Sequence, residues 1–300
     1  MNFGFDHEKF YVEHTSCSRS PGTLKEESDN RAVELYNQNK KLMLCLSSGL
    51  DSQTALVSFI RQGIPIECVF FRLNGYNDNE YKNLKLLEKK YNFKSEILNI
   101  DPISSKEEIL DLSTKLGVNV NHALHYKFVS MLPTEHDIIQ VMHDPWFFTS
   151  RKLNKHYLYY SWTDPEIARY APLATIPRHG KIKVFDDSSE LFLSLLTDPI
   201  LDYFFTSWSY FENGLLYRGK ELIDVLRYDH YIKPLLYSKH WGDELLYFPK
   251  FGGYENVPWM YELINNSKPS KMCFIEKDEL IQHLRSCDGT TKRYYENLPY

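Results

Sequence analysis

Four short apolar runs, at residues 42–46, 64–73, 96–100 and 137–142, alternate with stretches whose apolar residues recur at helical spacing. This alternation constrains the fold more than any other feature. The first run, LMLCL, is continuous rather than alternating, as expected of a strand buried on both faces. After it, Ala55, Leu56, Phe59 and Ile60 mark one face of a helix that Gly63 closes, and IPIECVFFRL supplies the second strand. Asn77 or Asp78 caps a helix carrying Tyr81, Leu84, Leu87 and Tyr91, and EILNI follows as the third. Ser105 and Glu108 form a capping-box pattern that opens a helix to about Leu116. Ala123, Leu124, Phe128 and Met131 mark another helix before DIIQVM. Strands separated by helical segments imply right-handed crossovers and an α/β fold, a parallel sheet with helices on both faces.

The flanks read differently. Residues 1–22 have no sustained period and are expected as an irregular arm, with Ser28 or Asp29 capping the first helix. Residues 23–150 form the sheet domain. Beyond them, Asp164-Pro165 and Asp198-Pro199 mark turns or helix starts, and LFLSLL and ELIDVLRY read as short helices. Residues 151–300 are therefore expected as a mainly helical, aromatic-rich C-terminal lobe that binds a substrate or a partner.

Composition narrows the class. The 300 residues are 43% hydrophobic and 25% charged, as in a globular chain with a real core. A net charge of −5 argues against a protein that holds nucleic acid by a global positive field. RKLNKHYLYY, residues 151–160, interleaves basic and aromatic groups as a single-strand nucleic-acid surface does, although a turn leading into an aromatic core is favoured. Nucleic acid is thus a possible but not favoured partner. The start lacks a basic stretch followed by an apolar core, and no apolar run is long enough to span a bilayer, so a cytoplasmic location and no membrane partner are expected. Five cysteines without a C-x-x-C pair fit reduced thiols.

Chemistry concentrates where the first strand becomes a helix, at Ser47-Ser48-Gly49-Leu50-Asp51-Ser52. Small residues there deliver the free N–H groups and the positive dipole end of a helix to the crevice above the strand ends, a place for an anion. Ser47, Ser48 and Ser52 add hydroxyls, Gly49 admits a close backbone approach, and Asp51 can steady the helix terminus or hold a divalent ion. A Walker A loop is excluded, because the Gly-Lys pairs continue as Gly180-Lys181-Ile182 and Gly219-Lys220-Glu221, and no G-x-G-x-x-G occurs.

The stretch resembles the PP-loop of the ATP pyrophosphatases, adenine nucleotide α-hydrolase-like proteins whose pattern is Ser-Gly-Gly-x-Asp-Ser after a first buried strand. Asparagine synthetase, GMP synthetase, argininosuccinate synthetase, tRNA thiolation enzymes and phosphoadenylylsulfate reductases share it. Ser47, Gly49, Asp51 and Ser52 match, Leu50 fills the variable place, and Ser48 stands where the family has its first Gly. Size and layout are similar to those of stand-alone PP-loop proteins of tailed phages. The resemblance implies a Rossmann-like HUP-type sheet, ATP and Mg²⁺ as cofactors, and cleavage of ATP to AMP and pyrophosphate while a carboxyl, amide or nucleobase oxygen is adenylated for attack by a nitrogen or sulfur nucleophile. It implies catalytic roles for Asp51 and Ser52 and nucleotide contacts from residues 47–52.

Further contacts are expected from the other strand ends. Phe71 and Arg72 close the second strand, where adenine would lie. Met142-His143-Asp144-Pro145 closes the fourth, with His143 placed for phosphate or proton transfer and Asp144 as a second metal ligand beside Asp51. His122 and His125, three apart, lack a third ligand and read as crevice lining. The acceptor substrate and the oligomeric state stay open. Alternatives to the adenylating enzyme are an attenuated nucleotide-binding or interaction module, if Ser48 weakens the loop, and a nucleobase- or tRNA-modifying enzyme.

Overall fold

The computed structural model describes residues 2–7, 9–141, 146–150, 155–161, 173, 175–201, 209–212, 215–218, 233–248, 253, 256–265 and 272–297. The chain begins with β1 (Asn2–Asp6), β2 (Lys9–Thr15) and α1 (Leu24–Gln38), then β3 (Leu42–Cys45), α2 (Leu50–Arg61), β4 (Glu67–Leu73), α3 (Asp78–Tyr91) and β5 (Ser95–Ile100). It continues with α4 (Lys106–Leu116), α5 (Val120–Ser130), β6 (Asp137–Gln140), β7 (Trp146–Ser150), β8 (Lys155–Ser161), β9 (Ile182–Val184) and α6 (Ser189–Leu196). The remaining described elements are β10 (Ser209–Glu212), β11 (Leu215–Arg218), α7 (Lys233–Trp241), α8 (Pro258–Asn265), β12 (Met272–Glu276), α9 (Lys277–Arg285) and β13 (Thr291–Tyr295).

The expected α/β sheet is present, with the order β5-β4-β3-β6-β9 and every pairing parallel. Its side chains alternate as strand geometry requires. Leu42, Leu44, Cys68, Phe70 and Ile139 face a core shared with α1 and α2, while Met43, Val69 and Ile138 face Val129 and Leu132 at the end of α5. Helices therefore cover both faces, and all three of Leu42, Met43 and Leu44 are buried, which is why this strand reads as a continuous apolar run. Burying each such side chain stabilises the fold by roughly 1.5–3 kcal/mol.

Chain order places β4 and β5 on one side of β3 and β6 and β9 on the other. The point between β3 and β6, where the winding reverses, is where an open α/β sheet leaves a crevice at the C-terminal strand ends. β9 lies beyond residue 150, so the sheet takes its last strand from the segment assigned by sequence to the C-terminal lobe. Gly180 makes this docking possible. A Cβ there would sit 2.0 Å from the carbonyl oxygen of His136. Arg178 donates to that same oxygen at 2.7 Å and to the Pro133 carbonyl at 2.8 Å.

Four expectations are corrected or extended. The N-terminal arm is not irregular: β1 and β2 form an antiparallel hairpin, and β13 pairs with β2 from the far end of the chain. The first helix starts earlier than Ser28, at Leu24, capped by a reciprocal Thr23–Glu26 capping box. Ser105 stands at the N-cap of α4 but makes no side-chain cap bond. The C-terminal half contains α6–α9 and, in addition, a sheet of order β11-β10-β7-β8-β12 and the edge strand β13. Aromatic runs such as YLYYS, expected in a helical lobe, suit a pleated surface better than a helix. Tyr157, Leu158 and Tyr160 of β8 are buried. Among the described residues no helix is long and apolar enough to cross a membrane.

Candidate functional site

β3 ends at Cys45, and Leu46 keeps the backbone in the sheet by donating to the Val69 carbonyl at 2.9 Å. Ser47 and Ser48 then turn the chain, and Gly49, with φ −69° and ψ 156°, is the N-cap of α2. The first bond inside the helix runs from the Gln53 N–H to the Gly49 carbonyl, at 3.1 Å. The N–H groups of Leu50, Asp51 and Ser52 thus precede the intrahelical ladder, and Gly49 supplies no side chain to cap them. This turn carries the positive end of the helix dipole at the C-terminal edge of the central strand.

Ser52 shapes the turn from inside. Its Oγ accepts from the Ser47 N–H at 3.2 Å, lies 2.9 Å from Ser47 Oγ, and has the Ser47 and Gly49 carbonyls at 2.8 and 3.0 Å for its one proton. Ser47 Oγ in turn accepts from the Gly49 N–H at 3.1 Å. Ser47 and Gly49 are exposed, whereas Ser48 and Ser52 are buried. Ser48, which stands where a glycine was expected, carries no left-handed strain: among the described residues the non-glycine positions with positive φ are His7, Asn92 and Cys287.

A second layer fixes this turn from behind. Gln53, fully buried, donates to the carbonyls of Ser48 at 2.9 Å and Leu246 at 2.8 Å. The segment bearing Leu246 is itself tied down, since Glu244 pairs with Lys25 and Arg61 and Lys90 donates to the Asp243 carbonyl. Burial would raise the Glu244 carboxyl, but the two cations outweigh it and hold its pKa below the usual carboxylate range.

Asp51 has partners that sequence reasoning missed. Tyr237 Oη donates to its Oδ1 and Lys233 Nζ to its Oδ2, both at 2.5 Å. Lys233 and Tyr237 are four apart on α7 and so share a helix face. The Lys233 side chain is only 7% exposed and that of Asp51 25%. Nothing local in KPLLYSKHW announces this role; it exists because the fold lays α7 over the start of α2.

The two residues expected to meet adenine diverge. Phe71 stacks on Phe128 of α5 with ring centroids 4.5 Å apart and meets His125 edge-on at 5.6 Å. Arg72 pairs with Asp78 at 3.0 Å and lies over the Tyr81 ring at 4.3 Å. Both stand at the end of β4, but neither makes a hydrogen bond or ring contact with residues 47–52. His143 and Asp144 lie outside the described residues. His122 is buried on α5, and among the described residues no group of three or more His, Cys, Asp or Glu is placed to hold a metal ion. Of the two residues expected to hold Mg²⁺, Asp51 has one carboxylate oxygen on an ammonium and the other on a phenol, and Asp144 is not among the described residues.

The class these observations define is an α/β protein with a parallel sheet, helices on both faces, and an anion-suited helix terminus at the switch point. No known protein family's profile matches the chain, and no curated protein does. Among solved structures the chain is similar to the NMN synthetase of Francisella tularensis, at 17% identity and a TM-score of 0.33, over 39% of this chain and 54% of that one. It thus spans about half the length of the solved protein it matches.

Proposed function

We propose that the chain binds ATP at residues 47–52 and splits it to AMP and pyrophosphate while adenylating an acceptor oxygen. The observation that supports this reading is the turn at Leu50–Ser52: three N–H groups outside the helical ladder, at the switch point of a parallel sheet, in a sequence resembling a PP-loop. In this reading the acceptor oxygen attacks the α-phosphorus, and the bond to the bridging oxygen breaks. Pyrophosphate departs with the electron pair.

The chain's part is electrostatic and positional. The N–H groups of α2 and the Ser47 hydroxyl receive the charge that develops on the leaving pyrophosphate. Ser52 holds the loop in shape rather than touching phosphate, because its hydroxyl is engaged within the turn. Asp51, in the first turn of α2, is held in place by Lys233 and Tyr237. Mg²⁺, which accompanies nucleotide phosphates in solution, would have to displace Lys233 from Asp51 Oδ2 to be held by that oxygen.

Incubating the protein with α-labelled ATP and a panel of carboxylate, amide and nucleobase acceptors tests the reaction. Labelled AMP or an AMP adduct with stoichiometric pyrophosphate is expected. ADP with phosphate as products would overturn it. Nucleotide binding without turnover across the panel would favour the attenuated module. A base-stacking surface at residues 155–160 gains no support, since Tyr157 and Tyr160 are buried.

A further inference from the structure

We infer that Cys17 and Cys287 are the two halves of a reversible disulfide, formed when a hydroperoxide reaches Cys287, and that it ties the segment after β2 to the turn after α9. The pair stands apart from residues 47–52 and does not depend on what they bind. Both cysteines are free thiols. Cys17 is a fully buried member of the main core cluster, and Cys287, partly buried, packs against that same cluster.

Three hydrogen bonds bring the two chain segments together. The Cys17 N–H donates to the Leu284 carbonyl, in the last turn of α9, at 2.9 Å. Ser16, the residue before, donates its N–H to the Thr290 carbonyl and its hydroxyl to Asp288 Oδ1, both at 2.9 Å. Cys287 falls between these anchor points, after Leu284 and next to Asp288. The thiols are close enough to sense each other's charge. Burial pushes the Cys17 thiol up to about 12, and Glu190, a Cys287 thiolate and Glu27 push the same way, against Arg19. Cys287 also holds φ 52° just past the Ser286 C-cap, a conformation that a helix end ordinarily gives to glycine.

Burial divides the roles. Cys287 is the thiol that an oxidant in water meets first, and Cys17, enclosed and neutral, is the one that resolves it. With hydrogen peroxide, the Cys287 sulfur attacks one peroxide oxygen, an S–O bond forms as the O–O bond breaks, and hydroxide leaves and takes up the thiol proton as water. The Cys17 sulfur then attacks the Cys287 sulfur, the S–S bond forms as the S–O bond breaks, and the second hydroxide takes the Cys17 proton. Two thiols and one peroxide give one disulfide and two waters; the two electrons lost by sulfur reduce the peroxide. A thiol reductant reverses the step by exchange. The loop so closed runs from residue 17 to residue 287, so it restrains the unfolded chain strongly.

Full-length wild type, treated with a few equivalents of hydrogen peroxide, blocked with N-ethylmaleimide in urea and digested without reductant, tests the pairing by peptide mass. A Cys17–Cys287 linked peptide within one chain is expected, with a loss of two titratable thiols that dithiothreitol restores. The urea midpoint should rise by roughly 1 M on oxidation and fall back on reduction. Cys287→Ser should show neither the link nor the rise, and Cys17→Ala should stop at a Cys287 sulfenic acid that dimedone traps. The wild-type peptide map needs no variant, so a Cys17 substitution that melts early leaves the test intact. A Cys287 sulfinic acid beside a maleimide-blocked Cys17, a link from either cysteine to a second chain, or a Cys287 that stays unoxidised overturns the inference. None of these outcomes bears on nucleotide binding.

Discussion

The side chain of Gln53 and the backbone of Leu246 exchange two hydrogen bonds: Nε2 donates to the Leu246 carbonyl and Oε1 accepts from the Leu246 N–H, both at 2.8 Å. The amide thus pairs with a backbone as a neighbouring strand would, while its other N–H reaches the Ser48 carbonyl. One buried side chain joins the loop to a segment nearly two hundred residues away.

Gln53→Ala should therefore cost more than an ordinary core truncation. It leaves the buried Ser48 carbonyl and the half-buried Leu246 backbone groups without their partners, at about 1–3 kcal/mol each where water cannot replace them. A loss of roughly 2–4 kcal/mol in urea unfolding is expected, with faster amide hydrogen exchange at residues 47–52 than the global loss explains. Exchange that rises uniformly would show that the tie does not restrain the loop.

Ser52→Ala separates shape from contact. The alanine removes every bond that Ser52 Oγ makes to Ser47 and Gly49, so the turn loses its internal brace. Stability should fall by about 1–2 kcal/mol, and affinity for ATP by roughly tenfold, with the loss carried by a slower, less ordered association. An unaltered affinity in a variant that melts early would mean that the loop needs no brace to bind.

Why half of this was legible and half was not follows from particular residues. Leu42, Met43 and Leu44 are buried on both faces, so their local pattern alone reports a central strand, and small residues after it report a turn into a helix. The hairpin β1–β2 gives no such signal, because its third strand comes from β13 and the pairing is set by the last residues of the chain. Lys233 and Tyr237 were invisible for the same reason: their partner, Asp51, lies about 180 positions earlier. Phe71 was legible as the end of a strand but not as a ring stacked on Phe128, since its facing helix follows only after two further helices and a strand. Local chemistry reads from spacing, and cross-chain chemistry does not.

Ser48→Gly tests the one departure from the loop pattern. Ser48 has no positive φ in the structure, so a glycine relieves no strain there. The substitution adds freedom to the unfolded chain and should cost about 0.5–1 kcal/mol. Nucleotide affinity and turnover should stay within about twofold of wild type. A rate gain of tenfold or more would show that the serine restrains the loop in the reacting complex.

Alkaline stability reports the buried thiols. Burial raises Cys17, Cys68 and Cys273 from an ordinary value of 9.0 to about 12. In the folded chain these thiols stay neutral where the unfolded chain would ionise. Their contribution is fully present below about pH 9 and is lost as the pH climbs from there toward 12, because the unfolded state releases protons first. Burial also raises the phenols of Tyr91 and Tyr294 and adds to the same trend. Urea midpoints measured from about pH 8 to about pH 11 should fall steadily, and the slope should be shallower in Cys68→Ala and in Cys273→Ala. In the native protein these three thiols should also resist alkylation at about pH 8, whereas Cys45 and Cys287, which are only partly buried, should react first. A flat midpoint over that range, or prompt labelling of Cys68, would place these thiols in contact with water and break the link between burial and the alkaline limit.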